Sequence, residues 1–235
     1  MTSPIRTFGD VLPSTIDALA RGGIAASQAK LAPADRLFHR ELLRLFLHGG
    51  QPPSSTDLRL LAARLGVAPE DAMATLAEAD LAHLDQETNT IAVAYPLSGR
   101  PSPHRVIMSD GTTLTAMCAV DALGIPLMTR RSATIESVDP VTGDEIRVRW
   151  EQGTWTWQPT TAVVVLAAAG CDGPIADACN HTAFHLNAEF AQEFLSRRPD
   201  YTGRVLSQRE ATDVAEQEFG PLLGVGTSHE TKPRA

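Results

Sequence analysis

The spacing of apolar residues changes period once along this chain, and that change constrains the fold more than any other feature of the sequence. From Pro33 onward Leu37, Leu42, Leu45 and Phe46 recur at helical spacing until His48-Gly49-Gly50 stops the run. Ser54, Ser55 or Thr56 can cap a second helix over Asp57 to Leu65. Gly66-Val67 turns the chain, and Pro69-Glu70-Asp71 opens a third helix predicted to reach about Leu84. Asp85 to Asn89 has turn chemistry, and Thr90 to Tyr95 alternates as a strand does. Helix, helix, turn, helix and short hairpin is the element order of a winged helix.

After Pro96 the helical period is gone. The segment from Pro96 to His104 holds three prolines and a glycine, a composition suited to a joint between domains. Arg105 to Met108, Thr112 to Thr115, Ala133 to Val138 and Glu145 to Trp150 read as strands, with turns at Ser109-Asp110-Gly111 and at Asp139 to Asp144. Thr161 to Ala169 is a continuous apolar run rich in valine, which predicts a strand covered on both faces. Trp150, Trp155 and Trp157 are assigned to the sheet and its packing. Helices are predicted over Ala188 to Arg197 and Gln208 to Phe219, and Gly124 and Pro126 are expected to close an earlier one. The expected architecture is α+β: a lead-in over 1–32, a winged-helix-like helical domain over 33–98, a mainly antiparallel β core with inserted helices over 99–222, and a tail over 223–235 whose composition predicts disorder.

Charge removes several classes of function. The 235 residues carry a formal net charge of −8, so there is no global attraction to nucleic acid or to an anionic membrane surface. Locally, Asp57, Glu70, Asp71, Glu78, Asp80, Asp85 and Glu87 face only Arg59 and Arg64, so the third helix would repel phosphates and a nucleic-acid partner is not expected. No apolar run approaches the ~20 residues that cross a bilayer, and the first residues lack a secretory pattern, so the expectation is a cytoplasmic protein without a membrane partner. Three cysteines, Cys118, Cys171 and Cys179, form an odd set without metal-finger spacing, which points to reduced thiols.

Chemistry concentrates in two stretches. In Thr113 to Pro126 a cysteine and an aspartate interrupt an apolar run, and Cys118 and Asp121 are three apart, one helical turn from each other. Free cysteine is ordinary in a core. A carboxylate there is not, because burying even a neutral polar group without a partner costs about 2–7 kcal/mol. The second stretch, Ala178-Cys179-Asn180-His181-Thr182-Ala183-Phe184-His185, is densely polar. His181 and His185 could ligate a metal, although satisfied histidines in loops and cores are commoner.

AMCAVDALGIPLMTRRSATIES, followed about sixty residues later by ACNHTAFH, resembles the organomercurial (alkylmercury) lyases. The resemblance extends from about residue 33 to 222, and the two short stretches carry its specificity. It implies a catalytic set of Cys118, Asp121 and Cys179. The two thiols would bind an organomercurial, Asp121 would relay a proton from a thiol to the carbon, and a hydrocarbon would leave. Hg(II) would then stay on Cys118 and Cys179, with Asp121 beside it, until small cytosolic thiols extract it. The resemblance implies no organic cofactor, and a mercuric reductase as a possible acceptor of the product. Soft thiolates are the ligands such an ion prefers.

The chain departs from the family pattern at three places. Asn180 and Asp139 stand where many members carry cysteine, and Met117 stands where an aromatic residue is familiar. Cys171 lies outside the family set and reads as structural or incidental. The alternative function is a thiol-based protein that binds or senses a soft metal through a winged-helix module. Asp121 discriminates, since a sensor needs thiolates but has no use for a proton carrier one turn away.

Overall fold

The computed structural model describes residues 23–168, 179–198 and 202–224. Expectations for the first 22 residues, for Cys171 and for most of the tail lie outside them. Helix α1 (Ile24–Lys30) falls in the expected lead-in and is tied at both ends of the chain: the Gln28 amide bonds His39 and the Leu222 carbonyl, and Ile24 N–H donates to Glu218.

Helix α2 (Pro33–Gly49) starts on its proline and stops where Gly50 adopts φ 68°, a left-handed conformation that suits glycine. Its buried stripe is Phe38, Leu42, Leu43, Phe46 and Leu47, whereas Leu37 and Leu45, two of the apolar positions that signalled the helix, are exposed. Helix α3 (Ser55–Leu65) has a reciprocal capping box between Ser54 and Asp57. Helix α4 (Pro69–Glu78) is shorter than its sequence predicts. The chain leaves it through Asp80 at φ 54°, and Ala82–Leu84 becomes strand β1, paired antiparallel with β2 (Ile91–Ala94). Tertiary pairing wins there over helical spacing. All four β2 residues are buried, because β1 and β3 (Leu97–Ser98) flank it and both its faces are covered. The segment read as a joint thus begins with a strand.

Beyond it lies a five-stranded antiparallel sheet in the order β5-β4-β6-β7-β8, built from β4 (Arg105–Met108), β5 (Thr113–Thr115), β6 (Ala133–Val138), β7 (Glu145–Glu151) and β8 (Thr154–Gln158). The alternation of β7 is regular, with Ile146, Val148 and Trp150 inward. Trp150 pairs with Trp155 across β7 and β8, and Trp157 meets Phe184 edge-on at 5.7 Å, so the tryptophans do pack the sheet. The valine-rich run is β9 (Val163–Ala168), the central strand between β10 (Ala183–His185) and β11 (Thr202–Leu206). Helix α6 (Ala188–Ser196) is capped by Asn187, and α7 (Gln208–Phe219) by a Ser207–Glu210 box.

Helix α5 (Ala119–Thr129) departs from expectation most. Gly124 and Pro126 do not close it; the helix runs through both and ends at Arg130, with φ 56°. Pro126 forfeits one intrahelical bond. Every residue from Ala119 to Met128 is nevertheless buried, and a helix apolar on all sides is held by its surroundings rather than by its own ladder. Gly124 is there for space: a Cβ at that position would fall within the ring of Phe219 on α7. One buried cluster runs from Ile24 through the helical module, α5 and the large sheet to Leu223. No helix among the described residues is long and apolar enough to cross a membrane.

Candidate active site

Strand β5 carries the chain into Ala116, whose N–H donates to the His104 carbonyl and which bridges Leu97 of β3. Two residues later Cys118 is the N-cap of α5. Its backbone is extended (φ −146°, ψ −179°), and its Sγ accepts the Asp121 N–H at 3.5 Å. Serine, threonine, asparagine and aspartate usually hold this position. A thiol there points its sulfur at the positive end of the helix, where a thiolate is favoured. Asp121 follows in the first turn, its carboxyl facing the same side.

Cys179 arrives from the other end of the fold, and Thr182 fixes its place. The Thr182 N–H donates to the Cys179 carbonyl, its carbonyl accepts the Ala119 N–H of α5, and its hydroxyl accepts the Ala167 N–H of β9. One residue thereby ties the second cysteine to the helix that presents the first. The Cys179 thiol lies 3.6 Å from Asp121 Oδ2 and donates to it. The Cys118 sulfur, the Cys179 sulfur and an Asp121 oxygen all lie within 4.8 Å of one another. All three side chains are buried, and both cysteines are free thiols.

Burial pushes the Asp121 carboxyl up to about 7, partly offset by the two thiols that hydrogen-bond to it. Burial likewise raises the Cys118 thiol, and the contact with Cys179 draws it back down. Cys179 is raised well above the usual range, first by that same contact with Cys118 and then by burial. Burial thus disfavours the thiolate at both sulfurs, and the Cys179 thiol already donates to the Asp121 carboxyl. Two thiols and such a carboxyl can bind a soft ion and move a proton within one small volume.

The structure therefore brings together the three residues that the sequence singles out. Among the described residues they form the group whose ligand atoms could share one metal ion, and neither His181 nor His185 belongs to it. His185 is fully buried, with Nδ1 3.4 Å from Asp139 and its ring against Phe194. Asp139, one of the departures, accepts the N–H groups of Val141 and Leu186 at 2.8 Å each, pinning the β6–β7 turn to the end of β10. Asn180 is exposed, and Met117 is half-buried beside Cys118. Sequence reasoning missed Thr182 and Glu218, since nothing local marks a residue whose importance lies in long-range contacts. Glu218 on α7 is buried and adds to the rise at Asp121.

Comparison with known proteins follows the same lines. Residues 97–220 match a family model described as MerB: Alkylmercury lyase. Alkylmercury lyases of Bacillus cereus and Clostridium butyricum are each 30% identical over 187 residues, covering 79% of this chain and 79% of theirs. That of Staphylococcus epidermidis is 28% identical over 193 residues, covering 79% of this chain and 85% of its own. The crystal structure of the mercury-bound form of MerB2 superposes with a TM-score of 0.72 at 19% identity, over 89% of this chain and 99% of that one, a likeness of fold.

Proposed function

Because the chain belongs to the alkylmercury lyase family, we propose that it cleaves the carbon–mercury bond of organomercurials by protonolysis, giving a hydrocarbon and Hg(II) in mercury detoxification. The observation that carries this reading is the placement of Asp121 against both thiols, with its carboxyl near neutrality.

In this reading Cys118, as thiolate, displaces the ligand already on mercury and forms R–Hg–S. Cys179 then passes its proton to Asp121 and its sulfur joins the metal. Asp121 returns that proton to the carbon, the C–Hg electron pair becomes the C–H bond, and RH departs. Mercury is Hg(II) throughout, held finally by two thiolates, so no oxidant or reductant enters. A metal–thiolate bond is about 2.3 Å for zinc, and a linear S–metal–S arrangement of that size spans about 4.6 Å. The sulfurs here, no more than 4.8 Å apart, lie at a separation one such atom can bridge. Small cytosolic thiols would extract the product, and a mercuric reductase would be a fitting acceptor. That chemistry belongs to the cytoplasm, where thiols are kept reduced.

Residues 33–98 serve in this proposal as a winged-helix-like module that covers the site, and 99–222 as the catalytic α+β domain. A soft-metal sensor built on the same module would leave Asp121 without a task. Incubating the purified protein with phenylmercury and excess thiol tests the proposal. Benzene release at turnover is expected, and its absence, with mercury merely bound, would sink it.

A further inference from the structure

Tyr95 is fully buried, and its hydroxyl finds no hydrogen-bond partner among the described residues. A buried hydroxyl left unpaired is destabilising, on the order of 1–3 kcal/mol, so its partner calls for an explanation. Its position supplies one. The Met117 N–H donates to the Pro96 carbonyl at 3.4 Å, one residue before Cys118, and the pairing of Ala94 with Leu97 makes Tyr95 and Pro96 the β2–β3 turn beside that contact. The groups whose charge bears on the phenol are, in order, Cys179, Asp121, Asp80 and Cys118, and all three members of the site are among them. Burial, followed by those neighbours, pushes its pKa far up, which keeps the hydroxyl a donor.

The proposed reaction places negative charge on sulfur when Cys179 gives its proton to Asp121. The leading electrostatic influences on the two thiols and on Asp121 are one another and Glu218, and none of them is a cation. A neutral donor turned toward the sulfurs as that charge develops would stabilise it without bringing a cation that would hold Asp121 ionised, and in a buried site such a donor counts for more than in water.

We propose that Tyr95 is a further residue of the active site, whose hydroxyl donates to the Cys118–Cys179 sulfur pair as negative charge develops there during cleavage. The inference rests on the lyase reading for its catalytic role and on the fold alone for its placement. Tyr95→Phe keeps the ring and removes the donor. With phenylmercury and excess thiol, kcat should fall about tenfold, the worth of one hydrogen bond to a charged group, with KM within about twofold. Replacing Tyr95 by fluorotyrosines of graded acidity should raise kcat in order of donor strength, which a packing role would not do. An unchanged kcat in Tyr95→Phe, or rates unordered by phenol acidity, would overturn the donor role. Placement has its own readout. With 3-fluorotyrosine at position 95, adding Hg(II) alone should shift the fluorine resonance, and the shift should vanish when Cys118 and Cys179 are both serine. No shift would overturn the placement. Wild-type protein that fails to release benzene would overturn the lyase reading, and with it the donor role, while the fluorine shift would still decide whether Tyr95 faces the thiols.

Discussion

At the scale of single residues, the site assigns different losses to its three members. In the proposed mechanism Cys118→Ser removes the sulfur that meets mercury first, and Cys179→Ser removes both the second ligand and the proton source. Asp121→Asn keeps the size of the side chain and takes away only its proton chemistry. All three should lower hydrocarbon release by at least ~100-fold, the usual worth of a positioned acid–base group. Asp121→Asn should still capture phenylmercury stoichiometrically, as mercury analysis of the desalted protein would read. Full turnover in any of the three would contradict the roles assigned. Asp121 was legible because a carboxylate is odd in an apolar run, and Cys118 and Cys179 because the two motifs that hold them resemble a known family. Thr182 was not, because a threonine in a loop looks ordinary until the chain folds it against the site, and nothing local marks Tyr95 as a tyrosine whose hydroxyl will be buried without a partner.

At the scale of elements, α5 and α7 pack most closely where Gly124 meets Phe219. Gly124→Ala should overpack this contact and destabilise the fold by about 1–3 kcal/mol, seen as a lower Tm, and Phe219→Leu in the same chain should recover part of the loss. A second prediction concerns α7 and α1. Burial raises the Glu218 carboxyl to about 7, partly offset by the Ile24 N–H that it accepts. A carboxyl whose folded-state pKa is raised binds its proton more tightly in the native state. Its favourable contribution is full below the unfolded pKa of about 4.5 and is lost as pH rises through about 7. Glu218→Gln retains an acceptor for Ile24 and cannot ionise. It should therefore gain stability over the wild type as pH goes from 5 to 8, by up to a few kcal/mol. A Tm difference that stays flat across that range would refute the assignment. The helix boundaries explain why local signals served so well for α2, α3, α6 and α7 and failed for α4 and α5. The former have caps or glycine stops written nearby, whereas α4 is cut short by strand pairing and α5 is prolonged through a proline by burial on every side.

At the scale of the whole molecule, the helical module, α5 and the large sheet share one buried cluster, and the site sits where they meet. Thermal unfolding should therefore be a single transition for the described fold, followed by circular dichroism and by tryptophan fluorescence; two separated transitions would show independent modules. Hg(II) bound by both thiols should raise that transition, since a ligand at 100 times its Kd adds about 2.7 kcal/mol, and Cys118→Ser should lose most of the rise. What the sequence determined by itself was the α+β class, the antiparallel strands and the chemical types at the site. Periodicity, caps and an out-of-place carboxylate are local properties, readable without coordinates. Only the tertiary structure decided that Cys179 reaches Cys118, that Thr182 joins the two, that Asp121 lies near neutrality, and that Tyr95 is buried with an unpaired hydroxyl. These depend on pairing residues far apart in the chain and on the burial that pairing creates, and burial sets the protonation on which the chemistry turns.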